Sequence, residues 1–351
     1  MAEPSPRRFH TRALTWLTWT HLVALVTALL ALHFIGEHWW LTGVALYVPR
    51  VFALLPCLLI VPLLLLVGPR RLLWLQLITA LIAWFPWMGF VLPPLRAHAA
   101  STSIRVMSYN VMSCTAGQEV LAARIATYTP DVVAIQELCE DDSSALVEQL
   151  RKHYAVVHVW DQFLLASRYP LVSVREPGRF EQMGRRHTER FMRYELETPL
   201  GRVAFYSMHP LSPHEAFHAV RGVRIGRSLR DGSIWQGGTA EAVLSDNFRV
   251  RERQLTAATA VAGSDSLPRI LMGDTNLTGL SPWSQRYFGA YRDGFESAGW
   301  GFGYTFPSFL PWLRLDRILA SQELRFVQFQ TGCGRDSDHL CVVAQLELAG
   351  S

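Results

Sequence analysis

Three long apolar runs in the first hundred residues constrain the fold of this 351-residue chain more than any other feature. They cover residues 14–35, 51–67 and 72–92, and none of them contains Asp, Glu, Lys or Arg. A helix needs about 20 apolar residues to cross roughly 30 Å of hydrocarbon, and the runs are near this length. We therefore expect three transmembrane helices, with a buried helical hairpin of a soluble domain as the alternative.

The charged residues around these runs predict how such an anchor is oriented. Residues 1–100 carry seven arginines and two glutamates, a net charge of +5, whereas residues 101–351 carry a net charge of −1. The arginines lie mainly at residues 7–12 and 70–71. Because basic loops stay on the cytoplasmic side, we expect a cytoplasmic amino terminus and an extracytoplasmic segment after the third run.

The pattern changes after a linker that contains Pro, Ala, Ser and Thr, so the chain is divided into an anchor over residues 1–100 and a second domain over residues 101–351. In the second domain, apolar runs of strand length alternate with segments of helical spacing, which indicates a mixed α and β class. The predicted strands cover residues 104–111, 132–137, 163–167, 203–208, 269–273, 315–320 and 341–348. The predicted helices cover residues 119–128, 145–154 and 251–262.

Polar side chains suited to phosphoryl chemistry stand at or near the ends of the predicted strands. They are Asn110, Glu137, His209, Asp274, Asn276, Asp316, Asp338 and His339. Taken singly, each has an ordinary alternative interpretation, because Asp and Asn after a strand are common turn residues and a Glu there is often a solvated charge. Oxygen ligands together with His suit Mg²⁺ or Mn²⁺ and an anionic phosphoryl group, whereas a closed zinc site would contain more His or Cys.

The order of these residues resembles the endonuclease/exonuclease/phosphatase superfamily, which includes DNase I-like nucleases, inositol polyphosphate 5-phosphatases and neutral sphingomyelinases. The resemblance covers residues 104–348 and is carried by the segments 106–111, 130–138, 165–171, 206–210, 253–254, 270–276, 315–321 and 337–339. It implies an α/β (α+β) domain built as a four-layer α/β/β/α sandwich.

A narrower resemblance joins the apolar runs to two short segments of the second domain. These are Gly-Asp-Thr-Asn-Leu at residues 273–277 and Gly-Phe-Gly-Tyr-Thr-Phe-Pro at residues 301–307. Together they are similar to bacterial membrane-anchored members of the superfamily, of the type associated with teicoplanin resistance and with undecaprenyl pyrophosphate dephosphorylation.

The superfamily resemblance implies a role for each candidate residue. Glu137 resembles the principal metal ligand, with Asn110 beside it and Asp338 in the same metal region. The metal implied is Mg²⁺, with Mn²⁺ as the alternative, and it would neutralise the charge of the phosphate.

The remaining residues resemble the groups that act on water and on the phosphoryl oxygens. Asp274 resembles the carboxylate that orients or deprotonates the attacking water, while Asn276 and His209 would bind the non-bridging oxygens. Asp316 would hold and polarise His339, whose charge would stabilise the transition state. The resemblance leaves open whether Asp274 or His339 is the base.

Arginines and cysteines of the second domain each allow two interpretations. Arg168 either forms a structural salt bridge or reaches a second phosphate, and four arginines of the segment 211–248 form either a solvated helix face or a cationic flap over the site. The four are Arg221, Arg224, Arg227 and Arg230. The cysteines remain thiols or pair, with Cys114–Cys139 beside the metal region and Cys333–Cys341 closing the loop that bears Asp338.

The favoured function is a membrane-anchored, Mg²⁺-dependent hydrolase of phosphate ester or pyrophosphate bonds. We expect it in a bacterial cytoplasmic membrane, with the lipid bilayer as a partner and a lipid-linked phosphate such as undecaprenyl pyrophosphate as substrate. The alternatives are a membrane-tethered nuclease, a phospholipid phosphodiesterase and a non-catalytic scaffold. Nucleic acid is the less favoured substrate because the second domain is nearly neutral and Lys152 is the single lysine of the chain.

Overall fold

The computed structural model describes residues 6–92, 102–139, 141–182, 184–214, 216–217 and 239–350. Its contacts divide the chain into two units. The first unit contains Met1–Val91 and Gly279–Pro282, and the second contains Leu92–Thr278 and Trp283–Ser351. The four arginines interpreted as a flap lie outside the described residues.

The first unit consists of helices that follow the apolar runs of the sequence. The α-helices are α1 Pro6–Phe34, α2 Trp40–Ala45, α3 Leu55–Leu66 and α4 Leu73–Ile82. Short 3₁₀ turns cover Gly36–His38, Arg50–Leu54 and Arg70–Leu72, and a π-helical turn covers Ala83–Trp87. Pro86 lies in the π-helical turn, and a proline ring cannot donate the backbone hydrogen bond of a regular helix.

Within the described residues, α1 alone contains a segment long and apolar enough to cross a membrane, over His10–Phe34. The second apolar run forms a shorter helix over Arg50–Leu66, and the third is divided between α4 and the π-helical turn. Length and composition therefore support one membrane-length helix, and the other two spans remain a prediction.

The helices of the first unit pack against one another through only part of their apolar surface. Leu14 of α1 packs with Ile60 and Leu64 of α3. Many large apolar side chains on the same helices remain exposed, including Trp16 of α1 and Trp74 of α4. Helices that are apolar all round are typical of a protein interior or of a membrane.

The second unit contains two six-stranded sheets. The first sheet is formed by β1 Ile104–Asn110, β2 Val132–Gln136, β3 Val156–Trp160, β4 Phe163–Ser167, β13 Leu324–Gly332 and β14 Cys341–Leu348, in the order β13-β14-β1-β2-β4-β3. The second is formed by β5 Leu171–Arg175, β8 Phe191–Thr198, β9 Gly201–Met208, β10 Arg269–Asp274, β11 Arg292–Asp293 and β12 Asp316–Ala320, in the order β11-β12-β10-β9-β8-β5. A separate hairpin pairs β6 Arg179–Gln182 with β7 Arg185–Thr188.

The two sheets pack face to face, with β1 and β2 against β9, β10 and β12. The helices of this unit are α5 Gln118–Tyr128, α6 Ser144–Arg151, α7 Thr239–Ser264, α8 Pro282–Phe288 and α9 Gly294–Ala298. The apolar faces of α5 and α6 join the core on the outer side of the first sheet, through residues such as Ile125 and Leu150. The expected mixed α/β sandwich with two sheets is thus confirmed.

Strand alternation decides which side chains of β1 face the second sheet. Met107 and Tyr109 join the core shared with α5 and α6. Ser108 and Asn110 point the other way, because successive side chains of a strand alternate between its two faces. Polar side chains of β1 therefore lie between the sheets, near the end of the strand.

Candidate active site

Strand ends of the first sheet bring four of the predicted residues to one edge. β1 and β2 run parallel, so Asn110 lies opposite Gln136 and Glu137 follows directly. β14 runs antiparallel to β1, and the loop before it carries Asp338 and His339 to the same edge. The topology of this sheet is therefore what gathers residues from distant parts of the chain.

The second sheet contributes the remaining acids and a histidine at the facing edge. β9 and β10 run parallel, so His209 follows one strand where Asp274 ends the other. β12 runs antiparallel to β10 and begins at Asp316, directly opposite Asp274. The two sheets meet at the amide of Asn110, which donates to Glu137 Oε1 at 3.0 Å and to Asp274 Oδ2 at 3.3 Å.

A glycine allows β10 to approach β9 closely just before Asp274. Gly273 has φ +149°, and a Cβ on it would lie 1.9 Å from the carbonyl oxygen of Met208. No side chain fits in this space. Gly273 therefore helps to set the position of Asp274 relative to His209.

Glu137 adopts a left-handed backbone conformation, with φ +49°, at the end of β2. A non-glycine residue seldom adopts this conformation, and such strain is frequent at functional sites. Burial disfavours the carboxylate, but hydrogen bonds from His209 and Asn110 and the charges of His209 and His339 outweigh burial and lower the pKa of Glu137 to about 2. Glu137 is thus an anionic oxygen donor at neutral pH.

His339 lies between two carboxylates. Its Nδ1 is 2.8 Å from Asp316 Oδ2, and its Nε2 is 3.6 Å from Asp274 Oδ2. Burial opposes a charged imidazole, but Asp316 and Asp274 outweigh it and raise the pKa of His339 to about 10. The pKa of Asp274 is also raised, first by burial and then by Asp316, against the opposing charges of His339 and His209.

Neighbouring groups orient the two remaining candidates, His209 and Asn276. The Nδ1 atom of His209 contacts the amide oxygen of Gln162, and its Nε2 lies 3.3 Å from Glu137 Oε1. Nδ2 of Asn276 donates to the backbone oxygen of Pro210 at 3.0 Å, while its backbone N–H donates to Asp274 Oδ1 at 2.9 Å. Asn276 therefore ties the loop after His209 to the loop after β10.

Asp338 is held on the edge of the first sheet by its serine neighbour. Ser337 Oγ donates to the backbone oxygen of Asn110 at 2.8 Å and lies 3.3 Å from Asp338 Oδ1. Burial raises the pKa of Asp338; His339 opposes this shift, and Glu137 adds to it. The negative charges of the Asp338 and Glu137 carboxylates therefore repel each other, and a cation bound between them would offset this repulsion.

Several residues that support the site were not singled out from the sequence. Gln136 accepts from Ser108 and donates to Ser207, which forms a buried polar chain between the sheets. Arg251, fully buried, donates to the backbone oxygen of Asn276 at 2.6 Å. Gln162 sits in a hairpin turn with no recognisable pattern, whereas Gln136 could have been noted because it directly precedes Glu137.

An open cleft of about 620 Å³ gives access to this edge. Its lining residues are Ser113, Glu137, Leu138, Cys139, Asp161, Gln162, Arg190, His209 and Ser212. Glu137 retains 35% of its side-chain exposure here, whereas the side chains of Asp274 and His209 retain 3% and 4%. A ligand entering the cleft therefore meets Glu137 before the buried side chains of His209 and Asp274.

Two groups of side chains have the chemistry of a divalent metal site. Asp274, Asp316 and His339 lie within metal-binding distance of one another. An imidazole held between two carboxylates is cationic, however, and a protonated imidazole has no free lone pair for a metal. The carboxylates of Glu137 and Asp338 fit Mg²⁺ better, since they are hard ligands and Glu137 faces the cleft. Asn110 lies beside Glu137, with its Nδ2 toward that carboxylate and its Oδ1 accepting from the backbone N–H of Met112 at 3.0 Å.

Arg168 and the cysteines have structural partners. Arg168 pairs with Asp131 at 3.1 Å, which agrees with its interpretation as a salt bridge. Disulfides join Cys114 to Cys139 and Cys333 to Cys341. The first follows the strand ends that bear Asn110 and Glu137, and the second closes the loop that carries Asp338 and His339. Both bridges therefore restrain loops of the candidate site.

Several known structures are similar to part of this chain. An endonuclease/exonuclease/phosphatase from Beutenbergia cavernae is 18% identical, with 71% of this chain and 72% of that chain covered and a TM-score of 0.47. TDP2 of D. rerio in complex with a single-stranded DNA product is 18% identical, with coverages of 70% and 100% and a TM-score of 0.48. The human nocturnin catalytic domain with bound sulfate is 16% identical, with coverages of 70% and 95% and a TM-score of 0.47. No curated protein sequence matches the chain.

The sequence itself identifies the family. Residues 107–339 match the profile described as Endonuclease/Exonuclease/phosphatase family, and this segment begins inside β1 and ends at His339. It therefore includes every candidate catalytic and metal-binding residue given above. The chain belongs to the Endonuclease/Exonuclease/phosphatase family, whose members hydrolyse phosphoester bonds and generally depend on divalent metals.

Proposed function

We propose that this protein is a membrane-anchored, Mg²⁺-dependent phosphoesterase that hydrolyses phosphate ester or pyrophosphate bonds of a lipid-linked substrate such as undecaprenyl pyrophosphate. The catalytic unit works at the outer face of a bacterial cytoplasmic membrane. The observation that carries the reaction class is the convergence of Glu137, His209, Asp274 and the Asp316–His339 pair at one edge of the sandwich.

Asp274 is the residue placed to accept the proton of the attacking water. His339 is held between two carboxylates and keeps its own proton, so it cannot act as the base near neutral pH. Burial raises the pKa of Asp274, which makes its carboxylate a stronger proton acceptor. These two pKa shifts support Asp274, rather than His339, as the proposed base.

The imidazolium of His339 stabilises the negative charge that develops on the phosphoryl oxygens. Asp316 fixes the ring through Nδ1, so Nε2 points toward Asp274 and the reacting group. His209 is oriented by Gln162 and presents its Nε2 beside Glu137. Fixed donors of this kind lower the barrier because they need no reorganisation during the reaction.

Glu137, Asn110 and Asp338 would hold Mg²⁺ at this edge. A bound divalent cation supplies positive charge that neutralises the phosphoryl oxygens and orients the substrate. The lowered pKa of Glu137 means that this carboxylate is ionised at neutral pH. A bound cation would offset the repulsion between the Glu137 and Asp338 carboxylates. The donor set therefore suits a hard metal ion better than zinc.

The anchor favours a lipid-linked substrate over a soluble one. His10–Phe34 is long and apolar enough to cross a bilayer, and exposed apolar side chains cover the neighbouring helices. Tethering confines the catalytic unit to the membrane surface and raises the effective concentration of substrates in that surface. A multi-pass anchor with a cytoplasmic amino terminus is part of this proposal.

The test is metal-dependent hydrolysis by the full-length protein purified in detergent. Undecaprenyl pyrophosphate and plasmid DNA are compared with and without Mg²⁺, and Asp274→Ala gives the background. We expect phosphate release from the lipid, with a loss of about 10²- to 10³-fold in Asp274→Ala.

Two results would contradict the proposal in different ways. Cleavage of DNA without phosphate release from the lipid would identify a tethered nuclease with the same catalytic groups. Activity in Asp274→Ala equal to that of the parent protein would reject the assignment of the catalytic carboxylate.

A further inference from the structure

One loop of the second unit exposes three large apolar side chains to solvent. In this loop, residues 299–313, Trp300 is 72% exposed, Phe309 is 62% exposed and Leu310 is 64% exposed. Elsewhere in the described part of the second unit, apart from Leu92 at its start, exposed large apolar side chains are less than half exposed and include no aromatic residue. We call this segment the aromatic loop.

The inner side of the aromatic loop contacts the candidate active site. The ring of Phe306 lies 4.8 Å from the ring of His339. Thr305 Oγ1 accepts from the backbone N–H of Asp316 at 3.2 Å, and the backbone N–H of Ser308 donates to the backbone oxygen of Asp338 at 2.7 Å. The exposed side chains are therefore carried by a segment that is hydrogen-bonded to the catalytic edge.

A positively charged side chain and a cleft lie beside the exposed apolar side chains. The exposed Arg335 donates from Nη2 to the backbone oxygen of Phe309 at 3.4 Å. Trp300 and Pro311 line one cleft of about 410 Å³ together with Tyr304, Phe329 and Leu340. Tryptophan, apolar side chains and a nearby arginine are the combination found where proteins contact the lipid headgroup region.

The anchor favours a lipid bilayer as the binding partner of the aromatic loop. The segment 92–103 that joins the two units has an extended length of at most about 40 Å, so a membrane-bound first unit would tether the second unit to the same lipid surface. Large exposed apolar groups next to a binding site are typical of an interaction surface. A lipid surface is therefore the partner that is present at high local concentration.

We propose that the aromatic loop inserts Trp300, Phe309 and Leu310 into the lipid headgroup boundary, with Arg335 at the anionic headgroups. Insertion holds the catalytic edge at the membrane surface, where a lipid-linked phosphate presents its head group. The inference rests on the proposed membrane-anchored function, which it extends by naming the surface that contacts the lipid.

The direct test measures the depth of the loop in lipid, without using activity. Full-length protein carrying Cys57→Ser and Leu310→Cys is labelled with an environment-sensitive fluorophore and reconstituted in phosphatidylcholine and phosphatidylglycerol vesicles that contain doxyl-labelled lipid. Val172→Cys in the same background is the matched control, because Val172 is also exposed and lies on β5, at the opposite edge of the second sheet from β11.

We expect doxyl lipid to quench the probe at residue 310 at least about twofold more than the probe at residue 172, with a blue-shifted emission at residue 310 only. Equal quenching at both positions would overturn the proposal. A blue-shifted probe at residue 310 without doxyl quenching would also overturn it, because the loop would then be covered by protein.

The functional test uses Trp300→Ser, Phe309→Ser and Leu310→Ser combined in the full-length protein. We expect KM for the lipid-linked phosphate in vesicles to rise about tenfold, with turnover of a soluble phosphate ester within about twofold of the parent protein. An unchanged KM would contradict the inference. If the parent protein hydrolysed no lipid-linked phosphate, the proposed function would fail while the quenching measurement still decided whether the loop inserts.

Discussion

Two carboxylates on either side of one imidazole set the charge of the candidate site. Asp316 lies 2.8 Å from Nδ1 of His339, and Asp274 lies 3.6 Å from Nε2. The backbone N–H groups of Leu315 and Asp316 both donate to Thr305 Oγ1, which fixes the start of β12. The positive charge of His339 therefore depends on the Asp316 carboxylate. The position of Asp316 is fixed in turn by its backbone hydrogen bond to Thr305.

Replacing that carboxylate should change both the rate and its pH dependence. In Asp316→Asn we expect phosphoester hydrolysis to fall about 10²- to 10³-fold. The parent His339, with a pKa of about 10, stays protonated until strongly alkaline pH. Without Asp316 its pKa falls, so the alkaline loss of activity should move to lower pH in a pH–rate profile.

The matched control is Asp131→Asn, which removes the partner of Arg168 outside the site. It should leave the pH–rate profile unchanged. An alkaline limb at the same pH in Asp316→Asn and in the parent protein would disprove the role of Asp316 in holding the charge of His339.

At the scale of single elements, β12 and α9 are joined by a buried ion-pair network next to the site. Asp293 contacts Arg317 at 2.6 Å and Arg314 at 2.8 Å, and Arg314 contacts Glu296 at 2.7 Å. Asp293 also caps α9 by accepting from the backbone N–H of Phe295. Burial opposes ionisation, but the two arginines outweigh it and lower the pKa of Asp293.

Asp293→Asn should therefore destabilise the protein most at neutral pH. A carboxyl with a depressed pKa in the folded state stabilises above its unfolded pKa of about 3.9, and this contribution is lost as pH falls through the folded value. Removing one partner of a buried pair costs about 3–5 kcal/mol, whereas Asn still caps the helix. Thermal unfolding at pH 7 and pH 3 should show a difference between variant and parent that shrinks in acid.

The close approach of β9 and β10 gives a second prediction at this scale. In Gly273→Ala, the new Cβ would meet the carbonyl oxygen of Met208 and push the strands apart, so we expect loss of folded protein and of hydrolysis. Gly263→Ala in α7 is the control, because outside its chain neighbours and its own helix backbone no atom lies within 4 Å of its Cβ position, and Ala stabilises a helix by about 0.5–1 kcal/mol. Equal yield, thermal stability and activity in both variants would contradict this account.

For the whole molecule, the disulfides and the anchor both bear on the compartment in which the catalytic unit lies. Cys114–Cys139 and Cys333–Cys341 are paired, whereas Cys57 of α3 is free. Disulfides form and persist in oxidising spaces. The bridges therefore agree with the proposed extracytoplasmic position of the catalytic unit.

Thiol labelling of the full-length protein from membranes checks this arrangement. Under denaturing conditions without reductant, we expect one cysteine to react, and five after reduction. Reduction should also lower thermal stability, by about 3 kcal/mol for each bridge in the chain-entropy estimate. Five reactive thiols without reductant would place the catalytic unit in a reducing compartment.

Local pattern predicted several strands with apolar runs, but it missed the apolar β3 and strands whose residues include charges, such as β8. β1, β2 and β4 were predicted because their residues are almost entirely apolar or buried. β8 was missed because Arg193 and Glu195 interrupt its pattern. In the structure these charges are satisfied by partners on other elements, such as Asp265 for Arg193. The local sequence does not show which distant residue will pair with a charge in a strand, so it cannot indicate that the strand accommodates that charge.

The sequence by itself determined the apolar runs, the mixed α and β class, the family and the chemical types at the strand ends, because periodicity and residue type are local properties. Only the tertiary structure decided which of these groups meet. Asn110 and Asp274 are 164 positions apart, yet they share a hydrogen bond because the two sheets pack face to face. Gln162 and Thr305 likewise acquire their roles from packing, since the distance between separate strands depends on the whole sandwich and no local pattern specifies it.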